Sequence, residues 1–238
     1  MSRDLPRQPL FRLDGQRALV TGASRGIGRA AAVALSGAGA EVLLGARSVG
    51  ECEETATTLR AKGLMARALA LDVTDRVAVR RVVDAEGPFD VLVNNAGTNI
   101  RESVVATSDE TVDRLLDLNV RAAFTVAQAV VKGMLAAGRG GSIINTGSVN
   151  GFVAGPNRAL YTATKHAVEG LTKAMAYELT RHGIRVNSLC PGFVETPLTV
   201  GVLSDPAFRR EQEAGIPLGR ILTVEDLMGG FVFLASPA

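Results

Sequence analysis

The segment YTATK sets Tyr161 four residues ahead of Lys165, at the head of a helical pattern, in a chain with only one other tyrosine. On a helix, residues four apart share a face, with Cβ atoms about 5–6 Å apart. A phenol beside an ammonium is either an idle surface contact or a device for moving a proton near pH 7. The second reading has definite chemistry. A free tyrosine, with a pKa near 10, is a sluggish acid–base partner at neutral pH. A neighbouring positive charge favours the phenolate, and a shift of about three units represents roughly 4 kcal/mol of differential interaction. A phenol tuned in that way can give a proton in one direction of a reaction and take one in the other.

A glycine cluster offers a second chemistry. TGASRGIG (21–28) follows the apolar run RALV (17–20) and opens a segment of good helix formers. A glycine turn lets backbone approach a pyrophosphate, and the helix behind it supplies unpaired N–H groups and a positive dipole end. Gly22, Gly26 and Gly28 are spaced for that task; the alternative is an ordinary strand-to-helix turn. The end of the second apolar run, where the adenosine ribose is usually read, has the sequence GARS. A carboxylate there would accept from the 2′-hydroxyl of NAD, but Ala46 is neutral and Arg47 is cationic. Arg25 adds a second cation within the glycine turn. Two guanidiniums and no carboxylate suit a dianionic 2′-phosphate, and so NADP(H).

The elements that must position these residues alternate. Apolar runs at 17–20, 40–46, 66–73, 89–97, 141–148 and 184–192 are separated by helical patterns that include 51–62, 109–136 and 160–182. Continuous apolar strands between helices predict an α/β fold, with a parallel sheet buried on both faces. The 238 residues fit one domain with no linker or repeat, and the segment 198–217, with Gly201, Pro206, Gly215 and Pro217, reads as an insertion loop. The chain is 47% hydrophobic with a net charge of +2 and scattered cations, which excludes disorder and a nucleic-acid binder. Cys52 and Cys190 make no disulfide framework, and with His166 and His182 they predict no metal site. MSRDLPRQPLFRLDGQ lacks an apolar core for a secretory leader, and no stretch is long and apolar enough to span a bilayer. The expectation is a soluble cytoplasmic protein that does not associate with membrane.

TGASRGIG, NNAG (94–97), Ser148 and YTATK, in this order and with Ser148 thirteen residues before Tyr161, resemble the classical short-chain dehydrogenase/reductases over nearly the whole chain. The resemblance implies a doubly wound, Rossmann-type sheet, an NADP(H)-linked enzyme interconverting C=O and CH–OH groups, and a homo-oligomer, either dimer or tetramer. It implies Asn119, Ser148, Tyr161 and Lys165 as catalytic residues. It makes Gly22, Ser24, Arg25, Gly26, Ile27, Gly28 and Arg47 phosphate and ribose contacts, and Asp72 and Val73 adenine contacts. Asn94, Ala96 and Gly97 would lie beside the adenosine ribose, and Pro191, Gly192, Val194 and Thr196 beside the nicotinamide. Tyr161 and Lys165 would also touch the cofactor, Lys165 through the ribose hydroxyls. Asn119 would hold a water linking Lys165 to solvent, and Ser148 would donate to the substrate oxygen.

Two departures accompany the resemblance. The stretch from Asp72 to Asn94 is short by about a helical turn, and relatives continue past FLASPA into a last strand that joins a subunit interface. Either the chain is trimmed or its oligomerisation differs. The loop 198–217 is expected to cover the substrate, with Leu198, Val200, Val202, Leu203 and Phe208 as an apolar roof and Asn150, Arg158 and Arg101 as polar contacts. That balance favours a β-ketoacyl thioester or bulky ketone. An NAD-linked sugar-acid, polyol or alcohol dehydrogenase is the alternative. A catalytically silent dinucleotide sensor is a further one, opposed by the intact Ser148, Tyr161 and Lys165 set.

Overall fold

The computed structural model describes residues 9–238, so the first half of the stretch weighed as a leader lies outside it. Six strands form one parallel sheet: β1 (Arg17–Thr21), β2 (Glu41–Ala46), β3 (Ala66–Ala70), β4 (Val91–Asn94), β5 (Gly141–Thr146) and β6 (Ile184–Leu189). Their order is β3-β2-β1-β4-β5-β6, with β1 in register against β4 through Ala18–Val91, Leu19–Leu92 and Val20–Val93. The direction of winding reverses between β1 and β4, where open α/β sheets leave a crevice at the carboxyl ends of their strands.

Helices cover both faces, which explains why the strands read as unbroken apolar runs. Helices α1 (Gly26–Gly37), α2 (Val49–Ala61) and α9 (Glu225–Ala235) pack on one face, and α3 (Arg76–Glu86), α5 (Ala122–Ala136) and α6 (Ala159–Leu179) on the other. Successive strand side chains point to opposite faces. Thus Ala18 and Val20 join the first core and Leu19 the second; Val42 and Leu44 are parted from Leu43, and Val91 and Val93 from Leu92, in the same way.

Three elements differ from the sequence reading. The helical pattern at 109–136 is two α-helices, α4 (Asp109–Leu116) and α5, joined by a π-helical turn at Asp117–Arg121. The expected loop at 198–217 contains the short α7 (Val200–Leu203) and α8 (Pro206–Ala214). Pro206 is the first residue of α8, where its fixed φ favours the helix, and the Asp205 carboxylate caps it by accepting from the Ala207 N–H at 2.9 Å. The shortened stretch before β4 still holds α3, capped by the Asp75 carboxylate on the Val77 and Ala78 N–H groups. Among the described residues, no helix is long and apolar enough to cross a membrane, and no cluster of metal-ligating side chains occurs.

Candidate active site

The expected site residues gather at the carboxyl ends of the strands. Gly22 to Gly28 follow β1, Arg47 follows β2, Asp72 follows β3, Asn95 to Gly97 follow β4, Ser148 follows β5 and Pro191 to Thr196 follow β6. Tyr161 and Lys165 come in from the first turns of α6 and Asn119 from the π turn.

The glycine turn is built for close approach. Gly22 (φ +63°) and Gly26 (φ +57°) occupy the left-handed region, which side chains disfavour. Gly28 is required for space: a Cβ there would lie 2.3 Å from the Gly22 carbonyl oxygen and 2.5 Å from Asn95 Nδ2. Two residues the sequence reading passed over tie this turn to the one after β4. The Thr21 hydroxyl accepts from the Asn95 and Ala96 N–H groups at 3.0 and 3.1 Å, and Asn95 Nδ2 donates to the Thr21 and Gly22 carbonyls. Both lie inside quoted motifs, but their side chains serve backbone, which spacing alone does not reveal. Across the crevice, Thr196 Cβ approaches Gly26 to 3.5 Å of a Cβ built there, and the Pro191 carbonyl accepts from the Val149 N–H at 3.1 Å.

Arg25 and Arg47 are exposed at this end, and neither joins a salt bridge among the described residues. The Asp72 carboxylate is held below its usual range chiefly by the Thr74 hydroxyl, which donates at 2.7 Å. Asn94 has a structural part in the sheet. Its amide is buried and donates to the Ala123 carbonyl at 2.7 Å and to Asn145 Oδ1 at 3.3 Å, so the side chain braces β4 against α5 and β5. Any contact Asn94 makes with a nucleotide is through its backbone.

At the other end Ser148, Lys165 and Asn119 are all buried. Ser148 Oγ accepts from the Asn150 N–H at 3.1 Å, leaving its own hydrogen to be donated. Lys165 Nζ donates to the Thr146 carbonyl at 2.7 Å and lies 5.8 Å from the centre of the Tyr161 ring. Burial lowers the Lys165 ammonium to about 8, against the opposing pull of Cys190 and Glu169. Burial also raises the Tyr161 phenol, while Ser148 and then Arg158 act to lower it. The expected lowering of the phenol calls on Lys165 together with the positive nicotinamide of the oxidised cofactor. Lys165 is set against the ring face and gives one of its three N–H hydrogens to Thr146, and burial is the largest influence on the phenol.

Asn119 is a clamp. Its Nδ2 donates to the Thr98 carbonyl at 2.9 Å and to Thr164 Oγ1 at 3.1 Å, and its Oδ1 accepts from the Thr98 N–H at 2.9 Å. Both amide hydrogens are committed, so the side chain has only an oxygen lone pair for the expected water.

The covering segment departs from an apolar roof. Leu203 is core, Leu198 and Val200 are largely exposed, and Phe208 packs edge-to-face on Phe193 with ring centres 5.9 Å apart. Arg101, which is exposed, and the half-buried Arg158 lie over these rings. Tyr177 is on the surface at 90% exposure, and His166 and His182 are exposed as well.

A glycine cradle for a pyrophosphate beside a phenol, a hydroxyl and a buried amine defines an oxidoreductase site of the short-chain dehydrogenase type. The family model described as short chain dehydrogenase matches residues 16–207, and the chain belongs to that family. It is 44% identical to gluconate 5-dehydrogenase of Gluconobacter oxydans, over 96% of this chain and 91% of that protein. It is 40% identical to sorbitol dehydrogenase of Cereibacter sphaeroides, over 95% of this chain and 93% of that one. A crystal structure of a gluconate 5-dehydrogenase from Burkholderia cenocepacia, in complex with NADP and tartrate, superposes with a TM-score of 0.92 at 40% identity, over 96% of this chain and 91% of that one.

Proposed function

We propose that the protein interconverts a secondary alcohol and a ketone with NADP(H), on a polyhydroxylated substrate of the sugar-acid or polyol kind. One observation carries this reading: Ser148, Tyr161 and Lys165 meet in the crevice that the glycine turn opens, with two unpaired arginines at its far end. The relatives named for gluconate and sorbitol oxidation support the substrate class over the β-ketoacyl thioester expected from the apolar roof.

When bound, the nicotinamide supplies or accepts the hydride. Gly22, Ser24, Gly26, Ile27 and Gly28 would hold the pyrophosphate end, with Arg25 and Arg47 on the 2′-phosphate. Asp72 and Val73 would flank adenine, Ala96 and Gly97 the adenosine ribose, and Pro191, Gly192, Val194 and Thr196 the nicotinamide. Ser148, its oxygen already occupied by Asn150, donates to the substrate oxygen and stabilises charge developing there. Tyr161 as the phenol gives its proton to that oxygen in reduction, and as the phenolate takes the proton of the alcohol in oxidation. Lys165, with a pKa near 8, exchanges a proton close to neutral pH beneath the phenol.

The protein acts in the cytoplasm as a homo-oligomer on this reading. Support for the assembly comes from α5, whose outward stripe carries the exposed Phe124 and Leu135. NADPH oxidation against a panel of keto acids, ketoses and simple ketones tests the activity. Tyr161→Phe is expected to abolish turnover and keep NADPH binding; near-full activity in that variant would overturn the mechanism.

A further inference from the structure

Arg101 lies between β4 and α4, and Arg158 is the residue immediately before α6. The two loops are joined by a hydrogen bond from the Glu102 N–H to the Asn157 carbonyl at 3.1 Å. Asn157 sits at φ +55°, in the left-handed region that asparagine tolerates better than most residues with a side chain. Each guanidinium then lies over one ring of an aromatic pair. Arg158 Cζ is 5.1 Å from the centre of Phe193, and Arg101 Cζ is 5.0 Å from the centre of Phe208 in α8. Contact with the rings engages each guanidinium through cation–π attraction, which uses none of its N–H donors.

These two cations are unbalanced. Neither has a carboxylate partner among the described residues. Burial and then the charge of Arg101 both work against the Arg158 guanidinium. Arg158 Nε is buried with no hydrogen-bond partner, an arrangement that costs free energy until an acceptor arrives. Glu102 Oε2 and Thr162 Oγ1 are buried and unpartnered too, and both residues line the same cavity of about 280 Å³ with Arg158. The volume is close to the lower end of small-ligand sites, about 300 Å³. Arg158 stands three residues before Tyr161, and its charge also acts to lower the phenol.

We infer that Arg158 and Arg101 form a carboxylate subsite, with Glu102 and Thr162 taking substrate hydroxyls, so that the preferred substrate is a polyhydroxylated acid rather than a neutral polyol. The inference rests on the alcohol–ketone reading above and narrows it. A neutral polyol can accept from Arg158 Nε but leaves the charge of the two guanidiniums uncompensated, and a simple acyl chain leaves Glu102 and Thr162 unpaired; a hydroxy acid answers both.

The test compares gluconate with sorbitol, matched in carbon number, as substrates oxidised with NADP⁺. In the wild type, kcat/KM is expected to favour gluconate. In Arg158→Met the gluconate-to-sorbitol ratio should fall by about thirty-fold, and in Arg101→Met by about ten-fold. Arg158→Lys, which keeps charge without the planar fork, should fall between wild type and Arg158→Met. A wild-type preference for sorbitol, or an unchanged ratio in all three variants, would overturn the inference. A second measurement needs no turnover: calorimetric binding of gluconate to the NADP⁺ complex of Tyr161→Phe, with and without Arg158→Met. Loss of binding in the double variant upholds the subsite, and equal binding in both sinks it. If neither substrate is turned over while gluconate still binds through Arg158, the alcohol–ketone reading fails for these substrates and the subsite survives.

Discussion

Lys165 is a residue whose burial has an energetic consequence that depends on pH. Its pKa falls from 10.5 to about 8 on folding, so between those values the unfolded chain binds more protons than the native one. Stability contributed at this position therefore rises with pH across that window, and below pH 8 the buried ammonium costs about 3 kcal/mol. Lys165→Met has no such titration. Urea unfolding at several pH values is expected to show the wild type gaining on the variant by about that amount from pH 8 to 10.5; a constant gap would mean that Lys165 is charged throughout. At the other end of the crevice, Arg47→Gln is expected to weaken NADPH binding by about 1.5–3 kcal/mol, the worth of a charge-assisted hydrogen bond, and to spare NADH. Fluorescence titration with both cofactors measures this, and equal losses would remove Arg47 from the 2′-phosphate.

At the scale of elements, the turns after β1 and β4 behave as one piece because Thr21 and Asn95 bond across them. Gly28→Ala would push a methyl group against the Gly22 carbonyl and the Asn95 amide. The expected cost is about 1–3 kcal/mol of stability, as for other overpacked sites, with loss of the melting-temperature rise that NADPH gives the wild type. A variant as stable and as well protected as wild type would show that the cradle has slack. Apolar runs and quoted motifs made these elements legible in the sequence, since strand burial on both faces and glycine turns leave direct marks. The π turn at Asn119 left none, because α4 and α5 keep one helical pattern through it. Helix α8 was masked by Pro206, which breaks a helix anywhere except at its start. The partners of the Asn94 amide, Ala123 and Asn145, left no mark in the sequence either, because both are distant along the chain.

For the whole molecule, the outward stripe of α5, with Phe124, Gln128, Lys132 and Leu135, is a surface suited to a second copy. Phe124→Asp is expected to convert an oligomer to a monomer in analytical ultracentrifugation, and an unchanged mass would assign assembly to another face. The alternation of strand side chains has a consequence of its own. Every central strand feeds Ala18, Val42 or Val91 to one core and Leu19, Leu43 or Leu92 to the other. Neither layer of helices can loosen without baring the reverse side of the same strands, so the fold has no seam along which to open in halves. Heat should strip the nucleotide cradle and the proton-transfer residues in the same step, and activity should disappear together with the native structure.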